Sequence, residues 1–177
     1  MVSRDSTARS QGDVYHLGYR WLISGPIDVV YYFVSHGRTY PEWFPVFRDA
    51  QSDDDEVRVG ARVRYHVKAL LPYHLYWDVT LTRLEPPHLV ETVTTVSLGG
   101  WLRLGGWVRF RLNERDGRVE VVNEQEMRAE RALPGPLRAL AARAFAFNHD
   151  RAMASGGQGL QRAVNAALAA RQTAAAG

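Results

Sequence analysis

The part of the sequence that most constrains the fold is residues 47–128, where apolar and polar residues alternate through one segment after another. A period of two places successive side chains on opposite faces of a strand, so each segment predicts a strand with one buried and one wet face. One such segment has apolar side chains at every second position, namely Ala61, Val63, Tyr65 and Val67. Glycine, proline and aspartate runs separate the segments. Such runs are typical of tight turns, so the pattern predicts an antiparallel meander.

A single long helix follows the strands and is predicted over residues 136–171. Its charged and polar residues fall on one side, namely Arg143, Asp150, Arg151, Gln158 and Arg162. The opposite side is mostly small and holds Ala142, Phe145, His149, Ala152, Gly156 and Ala163. Gly156, Gly157 and Gly159 stand in mid-helix, where each costs ~1 kcal/mol relative to alanine. We expect this stripe to leave volume between helix and sheet, and the glycines to kink the helix.

Shorter elements precede the meander. Residues 14–23 are rich in β-branched and aromatic side chains and predict the first strand. Residues 26–35 predict a short helix, because apolar residues recur there at helical spacing behind a proline at the first helical position. Residues 39–45 hold two prolines and three aromatics and predict a helical turn packed over an edge of the core. The chain therefore belongs to the α+β class.

The length of 177 residues is enough for one buried core. We predict a single domain over 13–171, with disordered tails at 1–12 and 172–177. The absence of cysteine excludes disulfides and thiolate metal sites. No apolar stretch approaches the ~20 residues that span a bilayer, so a cytoplasmic protein is expected.

Charge and histidine spacing narrow the function further. The 22 basic and 19 acidic residues give a net charge of +3, and the basic residues are scattered rather than clustered with aromatics. Nucleic acid is therefore not an expected partner. The six histidines are dispersed, with no two at the spacing of a helical metal site, so no metal and no cofactor is expected.

Two amides stand out in the last predicted strand. Asn123 and Gln125 share the parity of Val121 and Met127, which the alternation assigns to the buried face. An amide side chain on an apolar face costs a few kcal/mol unless its hydrogen bonds are satisfied. The pair therefore predicts either an internal hydrogen-bond network or a hollow that holds water or a ligand.

The order of elements and several segments resemble the SRPBCC helix-grip superfamily, which includes START lipid-transfer domains, pollen-allergen-like proteins and the polyketide cyclase/dehydrase group. The segments are 21–30 (WLISGPIDVV), 40–45 (YPEWFP), 71–73 (LPY), 85–87 (EPP) and 147–150 (FNHD), followed by Met153, Gly156, Gly159 and Leu160. The resemblance implies a curved antiparallel sheet of six to seven strands wrapped around the long C-terminal helix, with two short helices after the first strand. It also implies a cavity between sheet and helix, which in the superfamily binds lipids, sterols, quinones or polyketides.

The candidate site residues line that expected cavity. His149 on the inward face of the helix is a candidate general acid or base, and Tyr65 is a second candidate proton donor. Asn123 and Gln125 are candidate ligand-binding residues that would hydrogen-bond an oxygen of the bound molecule. The further ligand-binding candidates are Trp77, Phe145 and Asn148 and, from the resemblance, Trp43 and Tyr73 near the mouth.

Three functions remain open at this point. The first is binding of a hydrophobic polyketide, isoprenoid or lipid-like molecule, with polyketide cyclisation or dehydration as its enzymatic form. The second is a lipid or quinone carrier without chemistry, whose arginine-bearing helix face makes transient contact with an anionic membrane. The third is a protein-interaction module that uses the apolar stretch 96–108 as a sticky edge. The oligomeric state is left undetermined.

Overall fold

An antiparallel sheet is the largest element of the fold. The computed structural model of the protein describes residues 7–11, 13–68, 74–98, 102–130 and 135–176. The strands are β1 (Thr7–Gln11), β2 (Val14–Ile23), β3 (Phe47–Ser52), β4 (Arg62–Lys68), β5 (His74–Glu85), β6 (Leu89–Leu98), β7 (Leu102–Arg115) and β8 (Arg118–Ala129). The helices are α1 (Ile27–Ser35), α2 (Tyr40–Trp43), which a 3-10 turn at Gly37–Thr39 precedes, and α3 (Gly135–Ala176).

The strand order across the sheet is β1-β2-β8-β7-β6-β5-β4-β3. The first long strand, β2, thus pairs with the last strand, β8, while β3 to β8 follow one another as a meander. The curved sheet stays open, because β1 and β3 are its edges. The predicted α+β helix-grip architecture is confirmed, with two short helices after β2 and one long C-terminal helix.

The chain ends and the proposed sticky edge differ from expectation. Residues 7–11, expected in a disordered tail, form β1 and pair with β2, so an eighth strand joins the seven from β2 to β8. The last helix likewise continues to Ala176 instead of ending at 171. The described part of the stretch 96–108, which is 96–98 and 102–108, is not a sheet edge, because β6 and β7 each have a paired strand on either side. Its backbone groups are already used in the ladders, which removes the basis for the interaction module.

The alternation of each strand decides what faces the helix. Along β8 every second residue from Val119 to Met127 is buried, and the intervening acidic residues keep partial exposure. Trp21, Val121 and Leu112 stand in register on β2, β8 and β7, and all three are fully buried. The inner face of β2, β8 and β7 therefore forms the floor of the core.

The glycines of α3 bring the helix close to the sheet. A Cβ at Gly157 would lie 2.6 Å from the Trp21 ring, and one at Gly159 would lie 1.6 Å from the backbone oxygen of Trp43. A Cβ at Gly156 would lie 2.6 Å from the Phe44 ring. The expectation that these glycines leave volume is therefore wrong, because aromatic rings and the backbone of α2 occupy the space that a side chain would need.

Candidate functional site

The sheet side of the candidate site is an amide pair on β8. The Gln125 Nε2 donates a hydrogen bond to the Asn123 Oδ1 at 2.7 Å. Asn123 is 0% exposed and Gln125 is 5% exposed, as their parity predicted. The Asn123 Nδ2, however, is buried without any hydrogen-bond partner. The pair thus combines one satisfied acceptor with one unsatisfied donor, and leaving such a buried donor unpaired costs about 1–3 kcal/mol.

The helix side of the site is His149 on α3. Its side chain is 8% exposed, and neither ring nitrogen has a hydrogen-bond partner. The nearest charge is the Asp150 carboxylate, 3.8 Å from Nδ1, which is too long for a hydrogen bond. Burial lowers the pKa of His149 to about 4, although the negative charge of Asp150 opposes this shift. The imidazole is therefore neutral at pH 7 and has one donor and one acceptor to offer.

Contacts between α3 and β2 bring these two groups to the same level of the interior. The Trp21 Nε1 donates to the Met153 carbonyl at 2.9 Å, and further along both elements the Ser24 backbone N–H donates to the Gln161 side chain at 2.8 Å. The two elements thus run in the same direction. A strand rises about 3.3 Å per residue and a helix about 1.5 Å per residue. A step of two residues from Trp21 toward the N-terminus of β2 therefore covers the same distance as about four residues from Met153 toward the N-terminus of α3. On β2 this step reaches Tyr19, which pairs with Asn123 of β8. On α3 it reaches the neighbourhood of His149.

The surroundings of the two groups are mostly apolar, apart from the Asp150 carboxylate near His149 and the hydroxyl of Tyr19, which pairs with Asn123. Tyr19 and Phe110 flank Asn123 in the neighbouring strands, and Leu17 and Val108 flank Gln125. Among the described residues, the buried side-chain nitrogen and oxygen atoms without a partner are the Asn123 Nδ2 and the two ring nitrogens of His149. An apolar interior with a few convergent polar groups is typical of small-molecule sites.

The interior is packed at one end and more open at the other. Aromatic rings fill the end beneath α2, where Tyr40 stacks on Tyr65 with centroids 5.5 Å apart and Phe47 lies 4.6 Å from Tyr65. Leu75 and Trp77 on the inner face of β5 are only partly buried, unlike the inward residues of β8. The less closely packed part of the interior therefore includes the inner face of β5.

Two buried threonines were missed by the sequence argument. Thr92 and Thr94 lie on the inner face of β6, because Val90 and Val96 share their parity. The Thr92 hydroxyl donates to the Val108 carbonyl at 3.3 Å, and the Thr94 hydroxyl donates to the Asp78 carbonyl at 3.0 Å. Both parities of this strand mix polar and apolar residues, so alternation gave no signal. Both hydroxyls donate to backbone carbonyls. Among the described residues of the sheet, the buried side-chain polar atom without a hydrogen-bond partner is therefore the Asn123 Nδ2.

The structure places Tyr65 at the aromatic-packed end of the interior. A Cβ built at Gly37 would lie 2.3 Å from the Tyr65 hydroxyl, which places that hydroxyl beside the turn before α2. Burial also raises the pKa of Tyr65 well above its usual value. The hydroxyl thus lies in the aromatic-packed end and keeps its proton at neutral pH.

The two tryptophan candidates have packing partners inside the protein. Trp43 is buried, and its ring stacks on Phe44 with centroids 5.2 Å apart. The Trp77 indole donates to the Thr94 hydroxyl, and its partly buried ring lies 5.7 Å from Phe47. Trp43 thus belongs to the packed end, whereas Trp77 stands where that end meets the more open interior.

The remaining ligand-binding candidates are Asn148, Phe145 and Tyr73. Asn148 is partly buried on α3 beside His149. Tyr73 lies outside the described residues, and so does the side chain of Phe145, although its backbone is part of α3. The ligand contacts predicted for these three residues stay predictions.

Two surface depressions lie apart from this interior. One of about 410 Å³ is lined by the β7–β8 turn and the start of α1, including Asp116 and Pro26. The other, of about 320 Å³, lies among paired charges such as Arg109 and Glu91 on the outer face of the sheet. In the part of the chain that the structure describes, no group of three or more potential metal ligands occurs, and no helix has the length and apolarity to cross a membrane.

Solved structures share this architecture, although no family model and no curated protein matches the chain. The Zhui aromatase/cyclase of a Streptomyces species has a TM-score of 0.66 at 16% identity, covering 85% of this chain and 93% of its own. CalU16 of Micromonospora echinospora has a TM-score of 0.55 at 15% identity, covering 93% and 92%. A conserved protein of Geobacillus kaustophilus has a TM-score of 0.67 at 9% identity, covering 85% and 94%. These likenesses confirm the helix-grip resemblance at the level of the fold.

Proposed function

We propose that this helix-grip chain binds a hydrophobic small molecule that carries an oxygen function, in the interior between the sheet and α3. The observation that carries the proposal is the pair of buried polar groups without partners, Asn123 on the sheet and His149 on the helix. A native fold rarely buries such groups at no gain, because each costs free energy until a partner arrives. A ligand with an apolar body and a polar oxygen supplies both the packing and the missing partner.

The fold shared with an aromatase/cyclase supports a polyketide-like ligand and, as the enzymatic form, its cyclisation or dehydration. Holding a flexible chain in one conformation would supply most of the rate enhancement. The neutral His149 imidazole can accept a proton from the bound molecule, and the Asn123 amide can stabilise negative charge that develops on its oxygen. The packing of Tyr65 beside Gly37 favours His149 over Tyr65 as the residue that moves the proton.

The second candidate function is a lipid or quinone carrier that touches a membrane. Phe147 on α3 is 62% exposed, and Arg143 and Arg151, one turn away on either side, are exposed as well. An exposed aromatic ring between two arginines fits the interface of an anionic bilayer. The identity of the bound molecule separates this function from the cyclase.

Native mass spectrometry of the purified chain, followed by solvent extraction, tests the binding proposal. Ala152 is partly buried, one turn from His149 on the inward side of α3, whereas Ala166 is exposed on the same helix. We expect an added mass in the wild type and in Ala166→Phe, and none in Ala152→Phe, whose ring would fill the site. An aromatic polyketide would support the cyclase, and an isoprenoid lipid or quinone would support the carrier.

A thermal melt of the same variants provides the structural control. If Ala152→Phe fills an existing space, its Tm stays near that of the wild type; in a closed core the added ring costs about 1–3 kcal/mol. A wild type that carries no added mass would be titrated with 9-fluorenone, a rigid polycyclic ketone. Failure to bind that probe, or an Ala152→Phe variant that retains the full added mass, would contradict the proposal.

A further inference from the structure

The two amide side chains of β8 are joined by one hydrogen bond. Asn123 and Gln125 are two residues apart on one face of the strand, and the 2.7 Å hydrogen bond from the Gln125 Nε2 occupies the Asn123 Oδ1. β8 is paired on both sides, with β2 and β7, so its backbone offers this side chain no free group. The oxygen of the Asn123 amide is therefore engaged, and its nitrogen is the atom left to meet a ligand.

We infer that Gln125 is a positioning residue that holds the Asn123 amide with its nitrogen toward the ligand, so that the site selects a hydrogen-bond-accepting oxygen such as a ketone or quinone carbonyl. The inference rests on the proposed binding function and adds the polarity of the group that is recognised. Gln125 acts through Asn123 and needs no contact with the ligand. Without its donor the amide can rotate, and half of its orientations present the oxygen instead.

On the β7 side the neighbours of the amide pair are apolar. Phe110 and Val108, the β7 residues opposite Asn123 and Gln125, have no polar side-chain atom. A site with a buried donor discriminates against a ligand that lacks the matching oxygen, because the donor then stays unpaired. The neutral His149 contributes no positive charge, so a neutral carbonyl is favoured over a carboxylate.

The experiment compares two rigid probes of nearly equal shape, 9-fluorenone and fluorene, by calorimetric titration of the full chain. We expect the wild type to bind the ketone roughly tenfold more tightly, about the effect of one buried hydrogen bond. Asn123→Leu should abolish this preference. Gln125→Met, which keeps the length of the side chain but removes its donor, should reduce it several-fold. Thr92→Val is the matched control, because it removes a buried hydroxyl that is already bonded to the Val108 carbonyl, and it should keep the full ratio.

The infrared carbonyl stretch of bound 9-fluorenone is the second readout. We expect a single hydrogen-bonded band in the wild type and Thr92→Val, two bands in Gln125→Met, and one free-carbonyl band in Asn123→Leu. A merely structural role for Gln125 would change the Kd of both probes equally and leave the band of the wild type in place.

The outcomes separate the inference from the function on which it rests. If neither probe binds the wild type, the proposed function fails. If both bind the wild type equally, or if 9-fluorenol is preferred to the ketone, the pocket stands and the inferred polarity is wrong. A wild-type ratio and band in Gln125→Met would overturn the positioning role. Should that variant fail to fold, the wild-type band alone still decides whether the carbonyl is hydrogen-bonded.

Discussion

His149 is the residue whose surroundings depart furthest from those of a surface histidine. Its ring is 8% exposed and has no hydrogen-bond partner, and burial lowers its pKa to about 4 from an ordinary value near 6.5. Between these two pH values the unfolded chain binds a proton that the folded chain excludes. Protons therefore favour unfolding in this window, and stability is full above pH 6.5 and falls as the pH approaches 4.

The first prediction concerns His149→Leu, which removes the titrating group. The wild type should lose about 3 kcal/mol more unfolding free energy than this variant between pH 7 and pH 4. Urea unfolding at several pH values measures the difference. His16→Gln, at a histidine whose side chain is 50% exposed and lies 3.7 Å from Glu126, is the surface control and should retain the pH dependence that His149 gives. Parallel pH profiles for the wild type and His149→Leu would show that His149 is not buried in its neutral form.

The central turns of α3 are held by close contacts rather than by helix propensity. Three glycines within four residues weaken a helix, yet α3 continues through them, because Trp21, Phe44 and the backbone of Trp43 press against them. The Trp21 indole adds a hydrogen bond to the Met153 carbonyl. Because these residues have no side chain, the backbone of α3 packs directly against the aromatic rings and the backbone of α2.

The second prediction is the sign of Gly159→Ala. Propensity alone predicts a gain of ~1 kcal/mol, whereas the contact of 1.6 Å between the new Cβ and the Trp43 carbonyl oxygen predicts a loss. We expect a loss of at least about 2 kcal/mol in chemical unfolding. Gln158→Ala, at the exposed neighbouring position, should be neutral or slightly stabilising. A stabilised Gly159→Ala would mean that α3 does not approach α2 as closely as described.

The whole molecule combines a closely packed half with the half that we propose binds a ligand. Around the glycines of α3, aromatic rings and fully buried side chains such as Leu160 and Val164 fill the space between helix and sheet. Near His149 the neighbouring Ala152 is only partly buried, and both ring nitrogens lack hydrogen-bond partners. We therefore expect stability to be unevenly distributed, with the half around His149 as its weaker part.

The third prediction follows from this division and concerns hydrogen exchange along α3. Amides of residues 156–164 should exchange at rates close to those of global unfolding, whereas amides of 146–150 should exchange faster. Saturation with 9-fluorenone should slow the second group and leave the first unchanged. Mass-spectrometric exchange on the full chain measures both. Uniform protection along the helix, with and without the probe, would contradict the division into two halves.

Local patterns in the sequence were enough to predict much of the fold. Alternation predicted the strands and the inward parity of Asn123 and Gln125, and helical spacing predicted α1 and α3. Strand β1 was missed, because Thr7–Gln11 is polar and forms its ladder only through backbone pairing with β2. The periodicity of apolar residues predicts which side of an element is buried, because the element's own geometry determines which side chains share a face and the apolar face turns toward the core.

Only the tertiary structure decided what each buried residue meets. In the sequence, the glycine stripe is equally compatible with empty space beside α3 and with close approach of α3 to the sheet. Contacts such as the hydrogen bond from Trp21 to Met153, 132 residues apart, show that α3 approaches the sheet closely. The same long-range register brought Asn123 and His149 to one level and placed the Tyr65 hydroxyl beside Gly37. A sequence pattern specifies the face of a residue, whereas its partner depends on how distant elements pack, and that is a property of the folded chain alone.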